Sequence, residues 1–354
     1  MQAIIEQFRA QILAAGASGS PLRLRGGASK DWYGQQPAGA ILDTLDTRPY
    51  AGIVDYEPTE LVITARCGTP LAEIEAALAG QNQMLAFEPP HFGAGATIGG
   101  VVACALSGPR RASAGALRDF VLGAVLMDGK GEVLTFGGQV MKNVAGYDVS
   151  RLLAGSLGTL GLILQVSLKV LPLPFRESTI RFALSEIDAL ARLNEWAGQP
   201  LPISASCWHD GQLTVRLSGA EAAVAAALQR LGGEQVLDGA AFWHCVREQT
   251  HPFFDGSPIW RLSLPPACSA LILKGQQLIE WGGAQRWLKV DAYPGAAASI
   301  RNSVAAAGGH ATLFRGGDKS VGVFHPLAPA VAAIHQRLKL AFDPAGIFNP
   351  GRMY

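Results

Sequence analysis

Apolar residues along this chain follow two rhythms, a helical one near the start and a strand-like one soon after it. Ile4, Ile5, Phe8, Ile12 and Leu13 fall on one face at helical spacing, which predicts an amphipathic helix over residues 4–13. Residues 22–25, LRLR, alternate apolar and basic positions and predict a strand that runs directly into Gly26 and Gly27. Residues 51–65 read as two strands about a Glu-Pro turn, and Pro70 opens a helix that ends near Gly80. Residues 121–127 and 132–136 read as strands flanking Asp128-Gly129-Lys130-Gly131, a strong hairpin turn. The most apolar stretch, residues 160–174, is interrupted by Gln165, Ser167 and Lys169. It is too polar for a spanning helix and reads as a buried strand stopped by Pro172 and Pro174.

From about residue 176 to 339 the pattern changes. Alanine-rich helical segments such as 221–231 alternate with strand-like segments such as 212–217 and 260–264, which predicts an antiparallel α+β layer. The expected organisation is α+β, with one domain over residues 1–174, a second over 175–340, and a C-terminal segment, 341–354. A length of 354 residues suits two domains, and 49% hydrophobic residues can fill two cores.

The chemistry starts where the first strand meets its glycines. With no side chains in the way, Gly26 and Gly27 let successive backbone N–H groups point at phosphate oxygens, and Ser29 adds a hydroxyl donor. Further downstream come AGATIGG at 94–100, Ser107-Gly108-Pro109-Arg110-Arg111, Ala114-Gly115, Arg118-Asp119 and Leu122-Gly123. Each is a place where backbone can approach a ligand, and one extended ligand accounts for their order. Gly27 and Gly99 are then expected on opposite sides of a diphosphate. Glycine used as ordinary turn punctuation, in a chain with 42 of them, is the competing reading.

Other nucleotide motifs are excluded. No G-x-G-x-x-G occurs, Gly155, Gly158 and Gly161 are spaced by threes, and Gly317-Asp318-Lys319-Ser320 lacks the second glycine of a P-loop. A net charge of +1 gives no broad field for a nucleic acid, and Arg110-Arg111 reads as a local phosphate contact or as two solvated loop arginines. Cys67, Cys104, Cys207, Cys245 and Cys268 are scattered with no C-x-x-C, so neither a metal site nor an iron–sulfur cluster is expected. Buried thiols and no secretory signal predict a cytoplasmic protein.

These segments resemble a known family, the FAD-binding proteins of the vanillyl-alcohol oxidase or PCMH type. The resemblance rests on RGGAS at 25–29, EPPHFGAGATIGG at 88–100, SGPRRASAG at 107–115, RDFVLGAVLMDGKG at 118–131, KNVAGYDVSRLLAGSLGTLG at 142–161 and DPAGIFNPGRM at 343–353. Within it, KNVAGYD followed by SRLLAGSLGTLG is most similar to the smaller FAD-binding subunits of bacterial glycolate oxidases. The implied architecture is a two-subdomain PCMH-type FAD-binding domain followed by an antiparallel α+β cap over the flavin, with the last segment returning to the FAD domain. That return would place Asn349 near the flavin or the domain seam, although Asn349-Pro350-Gly351 by itself reads as a turn. Glycine pattern and resemblance together assign cofactor contacts to Arg25, Gly26, Gly27, Ala28, Ser29, Lys30, Pro90, Gly93, Thr97, Ile98, Gly99, Gly100, Ser107, Gly108, Arg110, Gly115, Asp119, Gly158, Gly161 and Ile163.

The resemblance implies oxidation of glycolate in a complex with a larger homologous FAD subunit and an iron–sulfur subunit, which could hold the assembly at the inner face of a membrane. Two departures refine it. Ser29 stands where covalent relatives place a flavin-linking histidine, so FAD is expected to be noncovalent; Cys104 could form a cysteinyl link but reads better as a packed thiol. The H-x-x-x-G-D-G-N-x-H segment of self-sufficient 2-hydroxy-acid dehydrogenases is absent, which implies that the main dehydrogenation lies on the larger subunit. Two alternatives stay open. One is a self-sufficient dehydrogenase in which Arg315 holds the carboxylate and His310 takes the proton, with His325 and His335 as further candidates; the other is a cofactor-free scaffold.

Overall fold

A computed structural model describes residues 1–35, 43–138, 148–256 and 258–353. The first helix, Gln2–Ser18, extends beyond the predicted span at both ends and stops at Gly19, whose left-handed φ of 65° closes it. The strands that follow are β1 (Leu22–Arg25), β2 (Asp43–Asp46), β3 (Ile53–Glu57), β4 (Val62–Arg66), β5 (Gln83–Met84), β6 (Val121–Met127), β7 (Val133–Gly137), β8 (Leu162–Lys169) and β9 (Leu171–Pro172). β1 and β2 form a parallel pair, whereas β3-β4-β8-β6-β7 form an antiparallel sheet.

The predicted hairpin is present between β6 and β7, and Asp128 shapes it by accepting the N–H groups of Lys130 and Glu132, each at 2.9 Å. The predicted buried strand is the middle strand of the sheet. Its polar residues are satisfied inside it: Ser167 meets Thr64 at 2.8 Å and Gln165 donates to the Tyr50 hydroxyl at 3.1 Å. The helix Leu71–Ala79 lies where Pro70 and Gly80 bound it.

A second sheet holds eight strands: β10 (Arg176–Ala183), β11 (Ile203–His209), β12 (Gln212–Gly219), β13 (Glu234–Gln235), β14 (Ile259–Ser263), β15 (Gln276–Glu280), β16 (Gln285–Lys289) and β17 (His310–Arg315). Their order is β13-β10-β12-β11-β15-β16-β14-β17, and every pairing is antiparallel. The α+β expectation for this half therefore stands, with the helices Glu186–Ala197, Glu221–Leu231 and Ala296–Ala306 each burying part of one face.

Among the described residues, the contacts that tie the cap sheet and the chain's end to the first half include the following three. An aromatic wall runs from Trp32 and Phe92 through Phe314 to Trp287, with ring centroids 4.8 to 5.3 Å apart. A buried ion network couples Arg110 to Glu88 (3.3 Å) and Glu177 (2.7 Å), and Arg216 to Glu88 (2.8 Å). The chain's end forms the third contact: the Leu22 N–H donates to Ile347 O at 2.8 Å and the Asn349 N–H to Leu22 O at 2.9 Å, so 347–349 runs beside β1 on the side away from β2.

Candidate functional site

β1 delivers the chain to a turn in which Gly26 and Gly27 press against a second glycine-rich loop. A side chain on Gly27 would lie 1.3 Å from Gly95 O, and one on Gly26 would lie 2.3 Å from Thr97 Oγ1. Only hydrogen fits between these segments. Ala28 then takes a left-handed φ of 62°. Among the described residues, the backbone N–H groups of Gly26, Gly27, Ala28, Ser29 and Lys30 have no acceptor. Five consecutive unsatisfied donors in a bent, glycine-lined turn are the donor set of an anion cradle, and a diphosphate fits it.

The pocket above the turn, about 80 Å³, is lined by residues 24–31 together with Thr97, Gly100, Ala103, Cys104, Leu157, Asn349 and Arg352. It is sized for part of a dinucleotide and not the whole. Lys30 brings a nearly buried cation beneath the loop, its Nζ donating to His91 O at 3.1 Å. Burial lowers the lysine's pKa, with the charge of Glu248 opposing. Arg352 holds the loop's shape by donating to the carbonyls of Lys30 (3.1 Å), Asp31 (3.2 Å) and Tyr33 (2.8 Å). Asn349 bridges β1 and the segment behind it, accepting from Leu24 N at 2.9 Å and donating to Leu157 O at 2.7 Å. The Cys104 thiol sits in the same pocket, and burial raises its pKa, which keeps it a neutral thiol.

The structure brings together Arg25, Gly26, Gly27, Ala28, Ser29, Lys30, Thr97 and Gly100 in this pocket. Gly93, at φ 131°, faces Ser29, and Gly158, at φ 70°, leaves room for Asn349 Nδ2. Pro90, Ser107 and Gly108 line a separate small cavity under the cap sheet. The others lie elsewhere. Gly99 packs against Cys67 and donates its N–H to Cys67 O at 2.8 Å, so that donor is already committed inside the protein. Ile98 and Ile163 are core residues, and Gly161 packs on Met127 O. Gly115 and Asp119 form a turn in which the Asp119 carboxylate accepts the Ala116 N–H at 2.8 Å. Arg110 and Arg111 are not solvated: Arg110 is in the ion network, and Arg111 stacks over Trp281 at 4.4 Å. KNVAGYD lies, except for Asp148, outside the described residues.

The cap sheet presents a second group of polar residues. Arg315 donates to Gln249 Oε1 at 2.7 Å and stacks over Trp32 at 4.7 Å, so its guanidinium is already engaged. His310, His325 and His335 line one open cleft of about 880 Å³ together with Arg261. Partial withdrawal from water, then the charges of Arg261 and His325, lower the His310 pKa. Among the described residues no group of three or more His, Cys, Asp or Glu is placed to hold a metal ion.

Glu280 is 3% exposed and its Oε2 accepts from Trp287 Nε1 at 2.6 Å and Gln285 Nε2 at 3.1 Å. Burial outweighs these hydrogen bonds and pushes its pKa up to about 7. The folded protein thus holds a proton that the unfolded chain releases near 4.5, so stability falls as pH rises between these values. Glu280→Gln is expected to equal the wild type at pH 4–5 and to exceed it by roughly 3 kcal/mol above pH 7. Urea midpoints at the two ends of this range check it, and an equal shift at both would contradict it.

A donor-lined cradle beneath an antiparallel cap defines an FAD-binding flavoprotein of the PCMH class. Residues 4–137 match the FAD binding domain family. The chain is 49% identical over 354 residues to the glycolate oxidase subunit GlcE of Escherichia coli, covering all of this chain and 97% of that protein. It is 38% identical over 96 residues, 27% of this chain and 20% of the other, to the glycolate oxidase subunit GlcD of Bacillus subtilis. An alkyldihydroxyacetonephosphate synthase structure shares the fold at TM-score 0.69 and 14% identity, covering 98% of this chain and 74% of that one. The chain belongs to the GlcE family of glycolate oxidase subunits.

Arg352, Leu157, Arg261 and Glu280 were not identified from the sequence. Arg352 carries a weak signal in its place after Asn349-Pro350-Gly351, but the others depend on pairings between distant segments.

Proposed function

We propose that this chain is the FAD-binding subunit of a complex that oxidises glycolate to glyoxylate and passes the electrons to a partner subunit. The observation that carries the reading is the run of five N–H groups at residues 26–30 that have no acceptor among the described residues, in a chain related over its full length to a glycolate oxidase subunit. Residues 1–174 form the FAD-binding domain, 175–340 the cap, and 341–354 return to the FAD domain. FAD, when bound, supplies the two-electron acceptor for the alcohol carbon.

The chain's own residues hold the cofactor and keep its surroundings dry. The cradle N–H groups receive the diphosphate, Lys30 adds positive charge, and Asn349 and Arg352 keep the loop in its binding shape. The wall of Trp32, Phe92, Phe314 and Trp287 keeps water from the seam below the cap. The five scattered cysteines leave an iron–sulfur centre to a separate subunit, and a larger homologous FAD subunit completes the complex. A cytoplasmic location, with any membrane contact made through partners, belongs to the same reading. Among the described residues no helix is long and apolar enough to cross a membrane.

The purified chain is expected to be yellow and to release intact FAD into the supernatant on acid precipitation, because neither Ser29 nor the neutral Cys104 thiol bonds the flavin. Flavin retained in the pellet would refute noncovalent binding. A colourless chain that fails to take up FAD would leave only the scaffold reading.

A further inference from the structure

Glu248 is the last residue of the helix Gly239–Glu248 in the cap, yet its carboxylate reaches across the seam into the first half. Its Oε2 accepts the N–H of His91 and that of Phe92, each at 3.0 Å, while Arg247 Nε donates to Oε1 at 2.9 Å. The side chain is 10% exposed. What it grips is the loop 88–93, EPPHFG. Pro89 and Pro90 carry no N–H, so His91 and Phe92 hold the first donors after Glu88, and among the described residues no acceptor outside Glu248 takes them.

This loop is held in an uncommon shape. Glu88 and Phe92 take left-handed backbone angles, φ 48° and 51°, which residues with side chains seldom adopt, and Gly93 follows at 131°. Such a conformation persists where its surroundings over-determine it. Two cap residues do so here: Arg216 pairs with the Glu88 carboxylate at 2.8 Å, and Glu248 grips the far end. The constraint passes on to the cradle. His91 O accepts the Lys30 ammonium at 3.1 Å, Gly93 faces the Ser29 side chain, and Gly95 O lies against Gly27. The N–H groups of Gly93, Ala94 and Gly95 have no acceptor among the described residues, which sets three further donors beside the turn at 26–30.

We infer that Glu248 is a positioning residue for the FAD diphosphate: by holding His91 and Phe92, the cap fixes residues 93–95 against the cradle, so that cap docking and FAD binding strengthen and weaken together. Resting on the functional reading above, the inference deepens it, because it makes the cap part of the cofactor's hold. A carboxylate suits the task, since its two oxygens receive two successive N–H groups and an arginine at once. An amide has one acceptor oxygen and would turn its own N–H groups toward a donor. The His91 ring stands outside this arrangement, its Nε2 meeting Glu75 Oε2 at 2.8 Å on the helix Leu71–Ala79 of the first half.

Titration of the FAD-depleted full chain with FAD, followed by flavin fluorescence, tests the inference beside melting temperatures taken with and without FAD. Glu248→Gln should weaken FAD binding by about threefold to tenfold, and Glu248→Met, which removes both acceptors, by about tenfold to a hundredfold. The FAD-dependent rise in melting temperature should shrink in the same order, because that rise follows the dissociation constant, whereas lost packing alone lowers both forms alike. Glu75→Gln removes a charge from the same seam without touching either N–H and should leave FAD affinity within about twofold. If the Met variant fails to fold, the Gln variant decides alone. Unchanged FAD affinity in the folded Glu248 variants would overturn the proposal, as would a loss in Glu75→Gln as large as theirs. In either case a wild-type chain that binds FAD leaves the functional reading standing. A wild-type chain that takes up no FAD would bring down that reading, and this inference with it.

Discussion

Replacing Gly27 by alanine is expected to cost the chain most of its FAD, lowering bound flavin at least tenfold. The added Cβ would sit 1.3 Å from the Gly95 carbonyl oxygen and 2.3 Å from its carbon, so no side-chain rotation can relieve the clash. The turn and the 93–95 loop must move apart, and that movement breaks the convergence of the N–H groups at 26–30. Overpacking of this kind costs typically about 1–3 kcal/mol, and backbone against backbone places it at the upper end. Gly26→Ala makes a graded comparison. Its Cβ would meet Thr97 Oγ1 at 2.3 Å, a side-chain atom that can rotate away, so part of the flavin should remain. Ser29→Ala adds no bulk and should keep nearly all of it. The flavin-to-protein ratio after gel filtration, read beside the melting temperature, checks the series. Flavin content should be highest in Ser29→Ala, lower in Gly26→Ala and lowest in Gly27→Ala, and any other order would contradict the cradle.

The same geometry explains how far the sequence could be read. Strand-to-glycine junctions, the Asp128 hairpin and the helix between Pro70 and Gly80 are local devices, each specified by a few adjacent residues, and each was legible. What distinguishes Gly95 from Gly99 is not local. Both are glycines in one short run, but Thr97 caps the helix Ile98–Cys104, turning the residues after it toward Cys67 and leaving those before it against Gly27. The order of the cap strands was equally hidden, because β14 pairs with β16 and β17, which come later in the chain, and nothing in residues 259–263 names those partners. Arg261 and Glu280 gain their character only from that pairing. Arg110-Arg111 reads as a solvated pair until the cap residues Glu177 and Trp281 are folded against it.

Asp343→Ala is expected to destabilise the protein by about 3–5 kcal/mol and to reduce bound FAD with it. The Asp343 carboxylate is fully buried, and it accepts the N–H groups of Ile347 (3.1 Å) and Phe348 (2.8 Å) as well as the Lys339 ammonium. Lys339 in turn donates to Thr159 O at 2.7 Å and Phe348 O at 2.9 Å. Removing the carboxylate leaves an ammonium without its counter-charge and two N–H groups without their acceptor in a nearly closed space. The loss spreads because 347–349 is hydrogen-bonded to Leu22 and Leu24 of β1, the strand that carries the cradle, and Arg352 a few residues on clamps the cradle's far side. Adding Lys339→Met to Asp343→Ala removes the stranded charge and should recover part of the stability. It should not recover the flavin, since the two N–H groups and the hook they form stay unsatisfied. Urea midpoints and flavin content of the single and double variants separate the two effects. Recovery of both together would mean that the charge, and not the hook, is what holds the chain's end against the cradle strand.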